Sequence, residues 1–194
     1  MVAGSILPVC MYKNKLHFLF GKENNKEDSA KGWSDFGGSS EGNETPYQTA
    51  LREGLEESSG FLNPVELAKK GVYKIVHGTY NVFIVKMEYD EQLPLYFNRM
   101  HQFVSKKMPE LLDTVLFEKQ ELQWYCIDDM IKCRSEFRPF YREITDLFVE
   151  HKNQIIQFIN SKQKTKNASK TKNAMHTKKK NKQKISKVKP KKPF

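Results

Sequence analysis

The apolar residues of this chain recur in two periods, and the switch between them marks its elements. Positions 5–12 and 15–20 are short runs of aliphatic and aromatic residues parted by Lys13 and Asn14, which predicts two strands joined by a tight turn near Asn14. A polar loop follows over 22–31. Beyond it the period lengthens: Thr45 suits an N-cap, Pro46 the first helical position, Gln48 a capping box and Gly60 a left-handed stop, which predicts a helix over 45–59. Tyr47, Ala50, Leu51, Gly54 and Leu55 share its packing side. Segments 65–68, 72–76 and 79–87 read as strands, the last two joined at His77-Gly78, and 93–112 has the spacing of a helix through Tyr96, Phe97, Met100, Phe103 and Met108. Arg138-Pro139 opens a long C-terminal helix, whose Phe140, Ile144, Leu147, Phe148, His151, Ile155 and Phe158 form a stripe that belongs in the core.

The helix over 45–59 carries an unusual charge pattern. Glu53, Glu56 and Glu57 fall within an arc of about 100°. Glu53 and Glu57 are a like-charged i, i+4 pair costing a few tenths of a kcal/mol, and only Arg52, four residues before Glu56, offsets it. Carboxylates on a rigid element are what a hard divalent cation such as Mg²⁺ takes as ligands. Glu-rich helix turns also occur as plain solvated faces, so these three acids alone leave both readings open.

The wider spacing narrows the choice. From Gly38 to Phe61 the chain resembles the Nudix box, G-x5-E-x7-R-E-U-x-E-E-x-G-U with U a bulky apolar residue, with Gly38, Glu44, Arg52, Glu53, Glu56 and Glu57 in register. Three positions depart: Gly54 stands at a bulky apolar position, Ser59 at the final glycine, and Gly60-Phe61 arrives one residue late, as if the helix were lengthened by one. The preceding Gly32-Trp33-Ser34-Asp35-Phe36-Gly37-Gly38 is similar to the family's entry strand. The resemblance implies an α/β/α sandwich of the Nudix type with a mixed sheet, over residues 1–160, with 93–112 inserted. Glu118-Lys119-Gln120-Glu121, ahead of Trp124, is similar to the family's acidic loop leading into a strand and short helix.

Charge divides the chain. Residues 161–194 hold fourteen lysines and no acid, so of the net +10 the first 160 residues contribute −4. With almost nothing apolar to bury, the tail is expected to be disordered and to make electrostatic contacts. RNA or DNA phosphates, a nuclear-import signal and mere solubility stay open as its purpose, and without interleaved aromatics it implies no base recognition. Cys10, Cys126 and Cys133 are odd in number and form no close ligand pair, which argues against a disulfide framework or zinc site and for a reducing compartment. No apolar run approaches the roughly 18 residues of a membrane span. The expectation is a soluble intracellular protein, cytoplasmic or nuclear. His101, on the insert, is the one histidine kept as a substrate-contact candidate.

The resemblance also implies roles. Glu53, Glu56 and Glu57, with the Gly37 carbonyl and a later acid, Glu118 or Glu121, would hold Mg²⁺ or Mn²⁺. Arg52 would orient a motif carboxylate, Glu44 would pair with Arg52 or steady the loop, and Glu53, then Glu118 or Glu121, would take the proton from water. The implied activity is metal-dependent hydrolysis of a nucleoside diphosphate joined to another group. A small nucleotide substrate, an RNA 5′ end or cap gripped by the lysine tail, and a non-catalytic nucleotide- or RNA-binding module are the three readings in that order.

Overall fold

The computed structural model describes residues 2–24, 31–113 and 118–161. Part of the predicted polar loop and the lysine tail from 162 onward lie outside the described residues. Strand β1 (Ala3–Tyr12) pairs antiparallel with β2 (Lys15–Glu23), Val9 opposite Phe18, through a two-residue turn in which Lys13 and Asn14 both have positive φ, 48° and 61°. Such a turn matches the right-handed twist of a hairpin. Two short strands follow, β3 (Trp33–Ser34) and β4 (Phe36–Ser39), then helices α1 (Pro46–Glu57) and α2 (Pro64–Lys69). Strands β5 (Val72–His77) and β6 (Tyr80–Lys86) form a second hairpin, turned at Gly78 with φ 58°.

Helix α3 (Gln92–Lys107) is the insert, followed by a 3-10 turn over Pro109–Asp113. Strand β7 (Lys119–Cys126) runs into α4 (Ile127–Lys132), and α5 (Tyr141–Glu150) and α6 (Lys152–Asn160) close the described chain. The sheet runs β3-β2-β1-β6-β5, with β4 on the N-terminal half of β1 and β7 along β2. It is mixed, because β1 and β6 are parallel while the other pairs are antiparallel.

Alternation along the strands sends neighbouring side chains to opposite faces. Leu7, Phe18 and Ile84 pack with Tyr141, Ile144, Phe148 and Ile155 of α5 and α6, whereas Ile6, Leu19 and Val85 pack with Leu62 and with Leu93 and Phe97 of α3. Helices therefore cover both faces, the α/β/α sandwich expected from the sequence. Among the described residues no helix is long and apolar enough to cross a membrane.

Four expectations need correction. Segment 65–68 is helical, because Asn63 caps α2 by accepting from Glu66 N at 3.1 Å and Pro64 stands at its first position. The long C-terminal helix is two helices, broken at His151, whose ψ of 7° leaves the α region. Phe140 lies before α5 and is 45% exposed, so it does not belong to the core stripe. Helix α1 is not lengthened: it ends at Glu57, Ser58 caps it, and two consecutive left-handed residues follow, Ser59 (φ 50°) and Gly60 (φ 76°).

Candidate functional site

Helix α1 is started by its capping box: Thr45 N donates to Gln48 Oε1 at 2.9 Å and Gln48 N to Thr45 Oγ1 at 3.3 Å. It lies close on β1. A Cβ on Gly4 would stand 1.8 Å from the Pro46 carbonyl oxygen, and one on Gly54 would stand 2.4 Å from Ile6 Cγ2 and 2.9 Å from Pro64 Cγ. That contact is the physical reason for glycine at 54, where the resemblance implies a bulky residue. The packed side differs from the expected one: Thr49, Ala50, Gly54 and Glu57 are buried, while Leu55 is half exposed and Tyr47 is exposed. Glu57 is thus turned into the protein, away from the more open acidic face of Glu53 and Glu56.

The open face is organised by Arg52. Its Nε donates to Glu44 Oε1 at 2.9 Å, Nη2 to Glu44 Oε2 at 3.1 Å and to the Ser39 carbonyl at 3.3 Å, and Nη1 to both Glu53 Oε1 and Glu56 Oε2 at 3.0 Å. One planar guanidinium thereby holds three carboxylates and ties α1 to the end of β4. The Arg52 contact holds Glu44 well below the usual carboxylate range, down to about 2. Burial instead raises Glu53, opposed by Arg52 and aided by the charge of Glu118. Gly38 leaves room for this arrangement, since its Cβ would come within 2.4 Å of Glu53 Oε1.

A second cluster lies behind the first. Glu57 Oε2 accepts from Gly37 N at 2.7 Å, and its Oε1 is 3.1 Å from the ammonium of Lys119, a residue wholly out of solvent. Lys119 also donates to Glu23 and, at 3.0 Å, to Ser34 Oγ; Ser34 and Arg138 Nη1 in turn donate to Glu23 Oε1 at 3.1 and 2.9 Å. Burial raises the Glu57 carboxyl, opposed mainly by Lys119. The geometry fits the ionised form, because both of its oxygens accept from donors. For Lys119, burial favours the neutral amine, but Glu57 and Glu23 outweigh it and raise its pKa.

The downstream acids separate. Glu118 is exposed, just before β7, and its charge reaches Glu53. Glu121 lies within β7, not in a loop ahead of it, and forms an ion pair with Lys22 at 3.8 Å. Glu121 also lines a cavity of about 350 Å³ with Asn98, His101, Gln102 and Gln120, which brings the insert and its histidine beside β7. Asn98 joins the two elements by accepting from Leu122 N at 2.8 Å and donating to the Leu122 carbonyl at 3.2 Å.

Sequence reasoning missed Glu23, Lys119 and Arg138. Their meeting depends on strand pairing: Glu23 stands opposite Lys119 across a register shift in β2. Gly21 was the available signal, since a Cβ there would lie 2.8 Å from Lys119 Cγ and leave no passage for the lysine stem.

As a test of fit to a divalent cation, the described residues contain no group of three Asp, Glu, His or Cys side chains that could hold a metal ion. Arg52 takes one oxygen each from Glu53 and Glu56, however, and leaves the second oxygen of each outside that contact. Two hard oxygen donors, one from each carboxylate, suit a cation that keeps most of its waters. Glu57, with both oxygens engaged, does not offer the same.

Neither a protein-family model nor a curated protein matches the sequence. Solved structures do match. The fold is similar to that of an Ap4A hydrolase from C. elegans in a binary complex, with TM-score 0.50 and 15% identity, covering 80% of this chain and 97% of that one. It is also similar to the Nudix hydrolase RenU from M. smegmatis, at 0.48 and 15% over 80% and 88%, and to the NUDIX domain of Shewanella oneidensis NrtR complexed with ADP ribose, at 0.49 and 12% over the same shares. The architecture of this chain, with its motif helix laid across β1 and β4, is the Nudix fold.

Proposed function

We propose that this chain is a metal-dependent pyrophosphohydrolase that cleaves a nucleoside diphosphate linked to another moiety. The observation that carries the reading is Arg52 holding Glu44, Glu53 and Glu56 together at the glycine end of β4, with the charge of Glu118 close to Glu53. A pyrophosphate linkage repels hydroxide, so its hydrolysis needs positive charge held at a fixed point. The proposed donors for Mg²⁺ or Mn²⁺ are Glu53 and Glu56, with the Gly37 carbonyl and Glu118 beside them. The resemblance adds Glu57, whose oxygens are here taken by Gly37 N and Lys119. The chemistry that such a cation supplies when bound is neutralisation of phosphate charge and a lowered pKa for water. Glu53 is the first choice to accept the proton of that water, and Glu118 precedes Glu121 as the alternative, because the charge of Glu118 acts on Glu53. Arg52 orients carboxylates and is not a phosphate clamp.

The similarly folded C. elegans protein is an Ap4A hydrolase, which supports a small nucleotide derivative as substrate. The polar cavity beside α3 is the proposed seat of the non-reacting moiety, with His101 as a contact. The fourteen lysines without an acid at 162–194 favour a second reading, hydrolysis at an RNA 5′ end. A panel of dinucleotides, nucleotide sugars and capped RNA, incubated with Mg²⁺ or Mn²⁺ and resolved by product, tests both. Turnover of no member would sink the enzyme reading. If capped RNA is the substrate, deleting 163–194 raises its KM and flattens the salt dependence, which for single strands has a slope of about −0.7 per phosphate contact; an unchanged KM returns the choice to small nucleotides.

A further inference from the structure

Lys119 is a fully buried ammonium that the proposed chemistry does not use. Its place is constructed rather than incidental. Gly21 of β2 leaves the passage for its stem, where a Cβ would meet Cγ at 2.8 Å and Cδ at 3.0 Å, and Phe36 closes the same spot. Two carboxylates, Glu23 and Glu57, and a hydroxyl, Ser34, surround the ammonium, and Arg138 supplies the second cation. The two acids and two bases balance in charge, which is the condition under which buried ions are tolerated.

Glu57 is where this cluster meets the candidate site. It is in register with the motif acids, yet its Oε1 faces Lys119 at 3.1 Å and its Oε2 accepts from Gly37 N at 2.7 Å. An acid so engaged offers an added cation a poorer site, because direct ligation would displace an ammonium or an N–H from a buried carboxylate. We propose that Lys119 is a positioning residue, a tethered counter-cation that fills the place of a metal at Glu57, so that Glu57 fixes the Gly37 backbone while Glu53 and Glu56 recruit the divalent ion. This rests on the hydrolase reading for the metal, but not for the tie between Lys119 and Glu57. By that tie β7 sets the distance between the glycine strand and the motif helix.

The experiment uses the full chain and Mn²⁺ alone, with free ion counted by electron paramagnetic resonance. Glu57→Gln retains wild-type Mn²⁺ affinity within about twofold, whereas Glu56→Gln loses about tenfold or more, as expected for loss of a charged ligand. Lys119→Met releases Glu57 Oε1 as a donor and tightens Mn²⁺ by about threefold or more, and adding Glu57→Gln abolishes that gain. A loss in Glu57→Gln equal to that in Glu56→Gln overturns the proposal, and so does a Lys119→Met protein with no tighter binding. If Lys119→Met fails to fold, the Glu57→Gln result decides. If even the wild type binds no Mn²⁺, the hydrolase reading fails instead, and the tie is decided by urea midpoints without metal of Glu57→Gln, Lys119→Gln and the double variant. Non-additive losses support it; additive losses overturn it.

Discussion

Arg52 and Lys119 each gather carboxylates around one cation, and both draw acids from α1, but they do so in different surroundings. Arg52 spreads its fork over three partly buried acids and leaves the second oxygens of Glu53 and Glu56 outside its contacts. Lys119 is sealed between β2, β7 and α1, and both oxygens of Glu57 are engaged. Four residues, about one helical turn, part Glu53 from Glu57, yet one faces the open cluster and the other the closed one. Sequence spacing sets which acids can be neighbours; burial and the partner cation decide which can recruit something new.

The largest expected effect breaks the open cluster chemically. Glu56→Gln lowers turnover by orders of magnitude with an unchanged urea midpoint, since it removes a charge from a surface-accessible side chain. Near-normal turnover at limiting metal removes Glu56 from the site.

Two glycines sharpen the contrast, because each makes room for one cluster. Gly21→Ala forces a Cβ against the stem of Lys119, which has nowhere to move, and costs about 1–3 kcal/mol of stability as an overpacked core does. Gly38→Ala meets only the carboxylate end of Glu53, which can swing away. Its stability changes by less than about 0.5 kcal/mol, as for surface substitutions. Its turnover falls by about a hundredfold, the scale of a misplaced catalytic group. Denaturation and initial rates on both variants check the pair, and equal stability losses would erase the distinction.

The extent to which this was legible follows the same line. The capping box, the pairing of Arg52 with Glu44 and the mixed sheet follow from local spacing and from a resemblance carried by six residues within one segment. The second cluster does not, because Glu23, Glu57, Lys119 and Arg138 meet only through pairing of distant strands and a register shift beside Glu23. Segment 65–68 was misread because apolar content outweighed the Asn63-Pro64 start signal. Phe140 was misread because a helical period was carried back to the residue just before the true start of α5.

A smaller effect separates the acids around β7. Glu118→Gln costs at least about ten times more turnover than Glu121→Gln, because an exposed ion pair such as Lys22 with Glu121 is worth little. Equal losses would place both acids in the same role.

The smallest effect is a pH signature of the open cluster. Glu44 is held at about 2, below its ordinary 4.5, so its contribution to stability is complete above about 4.5 and is lost as pH falls toward 2. The difference in urea midpoint between wild type and Glu44→Gln is therefore constant near neutrality and shrinks over that acid range. A difference that persists at pH 2 would mean that Arg52 does not lower the Glu44 pKa.

The closed cluster also carries a kinetic consequence. Its members come from β2, α1, β7 and the segment before α5, and Glu23 and Lys119 are 96 positions apart. Loop closure over such spans must precede the contact, so the ion cluster assembles after the local hairpins and helices have formed. Weakening it then accelerates unfolding and leaves the refolding rate nearly unchanged, which makes Lys119 a latch on the lifetime of the native state.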